Sequence, residues 1–326
     1  MTTPDRAGPA SPRPSVAAPG RAAASPRPSA APPGRAAATP GPDLARSRDL
    51  EAAWAARVRA DREQAERVRE APAGDDFYAP VSSMFVADPR RTDDVVLDTL
   101  LTIARPGQRW LDVGAGAGRF ALPLALVVDE VIALEPSAAM LAALVEQAAR
   151  HGIGNIRPVA AAWPPADPAL AEAVRADVVL VAHLGYDIEA IGPFVDALEA
   201  AARRDCVAVL DEGSPVTPAL PFWPLVHGEE RVVLPSLPEF LELLEARGRR
   251  VEVTRSEREP RAFGSRETLL AWFRNQLFVA PGSAADERLL ASLEGRVEAG
   301  PDGLRLADSR PRVVAVVRWP APGAAA

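Results

Sequence analysis

Between residues 109 and 211, short apolar runs alternate with stretches that have the composition of helices. The five apolar runs are RWLDVG, EVIALEP, IRPVAAAW, ADVVLVAHLGYD and DCVAVLDEG. They lack the alternation of polar and apolar residues, which is typical of strands buried on both faces of a parallel sheet. Parallel neighbours need crossover connections, and the intervening helices supply them. The pattern therefore predicts an α/β fold in which a mostly parallel sheet lies between two layers of helices.

The pattern changes after residue 213. Two further strands, RRVEVTRSERE and PRVVAVVRW, are separated by two helical runs. We expect these strands to pair antiparallel at one edge of the sheet. Lid-like additions are expected at about 214–235 and 264–298, the latter as a helical insertion between the last two strands. The predicted fold class is a doubly wound, Rossmann-like, three-layer sandwich with an antiparallel edge strand.

The chain is predicted to have three parts. Residues 1–42 are almost entirely Ala, Pro, Arg, Ser and Gly, and they lack the large apolar side chains that offset the entropy of ordering, so a disordered arm is expected. Residues 43–76 predict a helical extension, and residues 77–326 the main domain. No apolar run approaches the roughly 20 residues that span a bilayer, and we expect a cytoplasmic protein without membrane contact.

Charge and composition restrict the possible chemistry. The chain has a formal net charge of −7, and the 1–42 arm is basic, so the rest is more acidic still. Such a surface repels phosphate backbones, and we expect no nucleic-acid partner. The sequence contains no lysine, which excludes Schiff-base and P-loop lysine chemistry. One cysteine and no visible ligand cluster predict that no metal is bound; the oligomeric state is not readable.

A glycine-rich turn follows the first predicted strand. It reads Asp112-Val-Gly114-Ala-Gly116-Ala-Gly118. A dinucleotide-binding turn would place its third glycine at position 119, where this chain has Arg119. The carboxylate of Asp112 would also repel a pyrophosphate. The turn therefore favours a ligand without phosphate groups and with a cationic part.

These residues resemble the first motif of class I S-adenosylmethionine-dependent methyltransferases. Glu135, 21 residues after Gly114, matches the acid of the second motif, which in that family accepts the ribose hydroxyls. The segments DPRRTDDVVLD, AHLGYDI, PFWPLVHGE and LFVAPGS also resemble a group of actinobacterial methyltransferase-like proteins. The resemblance implies S-adenosylmethionine as the cofactor and the following cofactor-binding residues: Asp112, Gly114, Ala115, Gly116, Gly118, Glu135, Pro136, Ala162, Trp163 and His183.

Methyl transfer from a sulfonium is an in-line displacement that needs an aligned acceptor and, for some acceptors, a base. His183, Tyr186 and Asp187 follow the fourth strand, and they are the catalytic candidates. His183 has the most suitable intrinsic pKa, although packing against the cofactor is an alternative role for it. A second aromatic set forms the candidate lid over the substrate: Trp223, His227, Trp272 and Phe278.

The sequence thus predicts transfer of a methyl group to a small-molecule acceptor. Two alternatives stay open at this point. One is an NAD(P)-dependent oxidoreductase of similar fold, which Arg119 and Asp112 disfavour. The other is a catalytically silent regulatory protein that binds S-adenosylmethionine or S-adenosylhomocysteine, because the third strand lacks the acid that relatives place near the adenine.

Overall fold

The computed structural model describes residues 41–70, 85–214 and 217–323, which belong to one compact unit. The strands are β1 (Arg109–Val113), β2 (Glu130–Leu134), β3 (Ile156–Val159), β4 (Ala176–Ala182), β5 (Ala202–Asp211), β6 (Glu252–Arg258), β7 (Val297–Gly300), β8 (Gly303–Leu306) and β9 (Arg312–Pro320). The helices are α1 (Leu44–Val68), α2 (Val95–Ile103), α3 (Ala121–Ala125), α4 (Ala138–His151), α5 (Pro168–Ala173), α6 (Ile191–Ala201), α7 (Trp223–His227), α8 (Leu237–Ala246), α9 (Arg266–Leu277) and α10 (Ala284–Leu293). A 3-10 helix spans Thr217–Phe222.

Seven strands form the central sheet in the order β3-β2-β1-β4-β5-β9-β6. The first five are parallel, whereas β9 pairs antiparallel with both β5 and β6. The predicted mostly parallel sheet with antiparallel pairing at one edge is therefore confirmed. Because β9 runs against β5, its first residue, Arg312, lies at the same edge of the sheet as the last residue of β5, Asp211.

The strand residues are buried on both faces of the sheet, as their continuous apolar character predicts. Leu111 and Val113 of β1 belong to one hydrophobic cluster, and Trp110 of the same strand belongs to another. All three side chains have no exposed surface. Two cores, one on each side of a single sheet, define the predicted three-layer sandwich.

Helix α1 packs on this sandwich. Trp54 and Val58 join the hydrophobic cluster of the sheet, and the Trp54 indole N–H donates to the Ile188 carbonyl at 3.0 Å. Asp61 and Arg231 form a buried ion pair between α1 and the chain that follows α7. The predicted extension 43–76 thus contributes to the core up to Val68. Residues 71–76 of that extension, and residues 1–40 of the arm, lie outside the described residues.

The additions after β5 form a third hydrophobic cluster. It joins the 3-10 helix, α7, α9 and α10, in the segments predicted as additions at 214–235 and 264–298. The hairpin β7–β8 also contributes Leu306, and it was not expected from the sequence. Within residues 41–70, 85–214 and 217–323, no helix is long and apolar enough to cross a membrane.

Candidate functional site

The glycine turn connects β1 with α3. Gly116 and Gly118 have φ angles of +55° and +85°, in the region that favours glycine. A Cβ atom at Gly118 would lie 2.8 Å from Cγ of Leu122, so this position admits only glycine if α3 is to pack this closely. A Cβ at Gly116 would meet nothing within 4 Å. The turn is therefore packed on the side of Gly118 and open at Gly116.

Glu135 holds this turn against the end of β2. Its Oε2 accepts a hydrogen bond from the Gly116 N–H at 2.9 Å, and its Oε1 accepts one from the Ser137 N–H at 2.8 Å. Only 6% of the residue is exposed. Each carboxylate oxygen retains a second lone pair, so Glu135 has further acceptor positions for a ligand hydroxyl.

Asp112, the last but one residue of β1, is a second buried carboxyl group beside the first. It accepts a hydrogen bond from the backbone N–H of Ala121 at the start of α3. Burial and the negative charge of Glu135 raise the pKa of Asp112 to about 8. In the described part of the chain, no arginine or histidine forms an ion pair with Asp112 or Glu135. The glycine turn is thus flanked by two acids that have no cationic partner of their own.

Arg119, which follows the last glycine of the turn, is bound to Asp94. Its guanidinium lies 2.6 Å from Asp94 Oδ2, and Arg91 and Arg258 reach the same oxygen at 3.0 and 3.4 Å. The carboxylate of Asp94 also caps α2 by accepting hydrogen bonds from the backbone N–H groups of Val96 and Leu97. One buried carboxylate therefore connects the glycine turn, the start of α2 and the end of β6.

His183 and Asp211 face each other at the ends of β4 and β5. Nδ1 of His183 lies 3.1 Å from Oδ2 of Asp211, and Arg312 lies 3.2 Å from Oδ1. Burial alone would raise the pKa of Asp211. The hydrogen bond with His183 and the charges of His183 and Arg312 have a larger effect, and the pKa of Asp211 is lowered. Asp211 is therefore a carboxylate, and His183 is the donor in this pair. Sequence reasoning missed Asp211, although an acid at the end of a predicted strand was the available signal.

His183 has a φ angle of +53°, which is uncommon for a residue with a side chain. Its backbone N–H donates to the Val209 carbonyl at 2.8 Å, which fixes the turn to β5. The neighbouring Leu184 reaches the glycine turn, since a Cβ at Gly114 would lie 3.0 Å from its Cδ2. The glycine turn and the His183–Asp211 pair are thus neighbours along the carboxyl edge of the sheet.

The other catalytic candidates occupy different positions. The Tyr186 hydroxyl accepts a hydrogen bond from the Asp211 backbone N–H at 2.7 Å, and burial raises the pKa of Tyr186. Tyr186 therefore supports the end of β5 as a neutral phenol. Asp187 is exposed, and its charge acts on Asp61 of α1. No hydrogen bond or ion pair of the described residues joins Asp187 to His183, so the structure does not bring Asp187 into this pair.

A cavity of about 440 Å³ lies at the end of β5 and the start of β9, and Asp211 is one of the residues that line it. Its apolar wall contains Phe222, Phe263, Trp272 and Phe273. Its polar wall contains the acids Asp211 and Asp308 and the arginines Arg261, Arg310 and Arg312. The volume lies within the range of small-molecule binding sites, about 300–1,000 Å³. The His183–Asp211 pair therefore separates the glycine turn from a cavity of ligand size.

Only one of the four lid candidates reaches this cavity. Trp272 lines it, in contact with Phe263 and Phe273. Trp223, His227 and Phe278 instead pack together behind the wall, where Trp223 stacks on the guanidinium of Arg231. His227 Nε2 lies 2.9 Å from the Leu277 carbonyl, which gives it a structural partner. The prediction of a lid made by Trp223, His227 and Phe278 is corrected, because Trp223 is buried, His227 and Phe278 are half-buried, and none of the three lines the cavity.

The remaining predicted cofactor residues follow β1, β2 and β3. Ala115 is buried, whereas Pro136 and Ala162 are exposed at the same edge of the sheet. Trp163 is half-buried, and its indole N–H is shielded from solvent without a hydrogen-bond partner in the described residues. Across the described ranges, no group of three or more His, Cys, Asp or Glu residues has the arrangement of a metal site.

No protein-family model matches this chain. A 52-residue segment is 46% identical to the 23S rRNA (uracil(1939)-C(5))-methyltransferase RlmD of Xanthomonas euvesicatoria, over 16% of this chain and 12% of that protein. RlmD of Alkalilimnicola ehrlichii is 42% identical over 64 residues, which are 20% of this chain and 14% of the relative. The chain thus spans 12% to 14% of the length of the curated relatives that it matches.

Two solved structures align with more than half of this chain. YcgJ of Bacillus subtilis aligns with 69% of this chain and 97% of its own, with a TM-score of 0.47 and 17% identity. A putative methyltransferase of Bacillus halodurans aligns with 69% of this chain and 98% of its own, with a TM-score of 0.45 and 13% identity. Methyltransferase, the class that the sequence predicts, is the name given to both RlmD relatives.

The prediction that nucleic acid is not among the partners is wrong. The curated relatives that share a segment with this chain methylate a uracil of 23S rRNA. The prediction rested on the net charge of the chain, which averages over the whole surface. Arginines are concentrated around the cavity at the ends of β5 and β9, so the local charge differs from the average.

Proposed function

We propose that this protein is an S-adenosylmethionine-dependent methyltransferase that binds the cofactor across the ends of β1 and β2. The observation that supports this most is the pair of buried acids, Asp112 and Glu135, without a cationic partner among the described residues. A cofactor with an ammonium and a sulfonium group supplies positive charge beside both acids and favours the ionised form of Asp112, whose pKa is raised without a ligand. NAD would instead add a pyrophosphate of the same sign as the two acids.

The other cofactor contacts follow from the same geometry. When bound, the cofactor supplies a methyl group that is activated by the positive sulfur. Glu135 accepts the ribose hydroxyls on the lone pairs that Gly116 and Ser137 leave free. The open face at Gly116 lets the backbone approach the ligand. The unpartnered indole N–H of Trp163 is a donor for an acceptor atom of the adenine ring.

On the acceptor side, His183 acts as the base. The carboxylate of Asp211 accepts the Nδ1–H of His183, so the neutral imidazole presents the lone pair of Nε2. That atom can take a proton from an acceptor that enters through the cavity beyond Asp211. The Asp211 contact keeps the ring in this tautomer, and Tyr186 and Arg312 keep Asp211 in place. The acceptor group must be small enough to fit about 440 Å³, whether it is free or part of a larger molecule.

Calorimetry with S-adenosylmethionine, S-adenosylhomocysteine and NAD tests the cofactor. We expect the first two to bind and NAD not to bind. Glu135→Ala should weaken binding by about 1–3 kcal/mol, the contribution of a charge-assisted acceptor. Glu130→Ala is the matched control, since Glu130 lies at the opposite end of β2 and pairs with Arg109 and Arg157.

Three results would contradict the proposal or one of its parts. Binding of NAD alone would assign the site to an oxidoreductase. Binding of S-adenosylhomocysteine without turnover on a panel of small acids, nucleosides and RNA fragments would assign it to a silent binding protein. An equal loss in Glu130→Ala and Glu135→Ala would show that Glu135 acts through the stability of β2 and not through the ribose.

A further inference from the structure

The cavity beyond Asp211 has an excess of arginines over acids. Arg312 pairs with Asp211, but Arg261 and Arg310 form no hydrogen bond or ion pair with any described residue. Asp308 is the only other acid of the lining, and it has no arginine partner either. Arg261 and Arg310 are thus both exposed to the cavity and available to an added ligand.

Neighbouring charges make Arg261 a specific site for an anion. Burial, together with the positive charges of Arg312, Arg119 and Arg258, lowers the pKa of Arg261. Asp211, the acid whose charge acts on Arg261, already pairs with His183 and Arg312. An arginine does not lose its proton in a protein, so this repulsion is relieved by an incoming anion.

The aromatic wall of the cavity is suited to a flat apolar group. Phe263, Trp272 and Phe273 form a set of edge-to-face and tilted contacts with centroids 4.9–6.5 Å apart. The Arg261 guanidinium lies 5.6 Å from the Trp272 ring, so the cation borders the aromatic surface. Buried Asp211, whose Oδ1 has no hydrogen-bond partner in the described residues, lines the cavity on the side of His183.

We propose that this cavity binds a methyl acceptor that carries a carboxylate or phosphate next to a flat apolar ring. Arg261 and Arg310 bind the acidic group, and the aromatic wall receives the ring. This placement puts the rest of the acceptor toward His183 and Asp211. The inference rests on the proposed function, since it takes the cavity as the acceptor side of a methyltransferase.

Calorimetry on the full chain tests this with pairs of probes that share a ring and differ in whether they carry an acidic group. The pairs are phenyl phosphate and phenol, 2-naphthoate and 2-naphthamide, and uridine 5′-monophosphate and uridine. We expect each anion to bind about tenfold or more tightly than its neutral partner, as for charge-assisted hydrogen bonds. Arg261→Gln and Arg310→Gln should each reduce this preference several-fold. Neither arginine forms a hydrogen bond or ion pair within the described part of the chain, so both variants should stay folded.

Arg266→Gln is the matched control, because Arg266 is an exposed arginine at the start of α9 outside the cavity. It should keep the full preference for the anions. A preference for the nucleotide over the simple aromatic acids would indicate a nucleic-acid source of the phosphate, and the reverse order a free acid. Both orders support the proposal.

Equal binding of anions and neutral partners, or no binding of any probe, would overturn the inference. So would the same loss in Arg266→Gln as in Arg261→Gln. S-adenosylhomocysteine is titrated in parallel. If it binds while the anions fail, the acceptor class is wrong and the proposed function stands. If the anions bind while S-adenosylhomocysteine fails, the proposed function is wrong and the anion site stands.

Discussion

Nδ1 of His183 lies 3.1 Å from Oδ2 of Asp211, and this contact joins the ends of two adjacent parallel strands. His183 has a backbone φ angle in the left-handed region, and Asp211 is only 4% exposed. Such a contact orients the imidazole and fixes which of its nitrogens carries the proton.

The first prediction concerns this proton. At neutral pH, long-range ¹H–¹⁵N spectra should show His183 with its proton on Nδ1. His227, whose Nε2 faces the Leu277 carbonyl and whose pKa burial lowers, should carry it on Nε2 and serves as the internal reference. Asp211→Asn should reduce the Nδ1–H population of His183 and leave His227 unchanged. The same tautomer in both proteins would show that Asp211 does not position the ring.

The second prediction separates stability from function at position 183. The φ angle of +53° is strained for any residue with a Cβ. His183→Gly should therefore be more stable than His183→Ala by about 1 kcal/mol, because glycine adopts this backbone freely. Denaturant unfolding measures the difference. If His183 is the base, both variants should lower kcat by about 10²–10⁴-fold alike. Equal stability of the two would contradict the strain.

The third prediction is a pH dependence of stability from Asp112. Its pKa of about 8 in the folded state lies above that of an unfolded aspartate, about 3.9. Between these values the native protein retains a proton that the unfolded chain releases, so this group lowers the free energy of unfolding as the pH rises to 8. Asp112→Asn removes that dependence. Its stability relative to the wild type should therefore increase from pH 5 to pH 8, as urea unfolding at both values would show.

Asp98→Asn on the exposed face of α2 is the control for this experiment. It should give the same stability difference from the wild type at both pH values. A constant difference for Asp112→Asn as well would mean that this carboxyl group is ionised at neutral pH in the folded protein.

The fourth prediction concerns the start of the chain. Deleting residues 1–40, which lack large apolar side chains, should leave the melting temperature almost unchanged. Trp54→Ala should cost about 3–5 kcal/mol, since Trp54 is 5% exposed in the core and also bonds to Ile188. A large loss on deleting 1–40 would contradict the expected disordered arm. A small loss in Trp54→Ala would show that α1 is dispensable.

The sequence predicts the sheet and the glycine turn because both depend on local signals. Continuous apolar runs identify buried parallel strands, and the glycines with Asp112 identify the turn. The hairpin β7–β8 also had a local signal, since the turn Gly300-Pro-Asp-Gly303 separates two short strands, but the preceding helix pattern obscured it.

The residues around the cavity could not be predicted in this way. Arg261, Arg310 and Arg312 come from loops and strand starts that meet Asp211 only when β9 inserts between β5 and β6. Trp223 and Trp272 lie in similar aromatic segments, yet one supports the wall and the other lines it. Which side chain faces a cavity depends on long-range packing, and the spacing of residues along the sequence does not predict that packing.

The arrangement around Asp94 makes the two halves of the site energetically dependent on each other. Arg119 reaches Asp94 from the cofactor turn, and Arg258 reaches it from the strand that borders the acceptor side. If a ligand binds one of these arginines and weakens its ion pair with Asp94, the carboxylate can pair more closely with the other arginine. We therefore expect the affinities on the two sides to be linked, and by reciprocity each ligand should alter the binding of the other by the same factor.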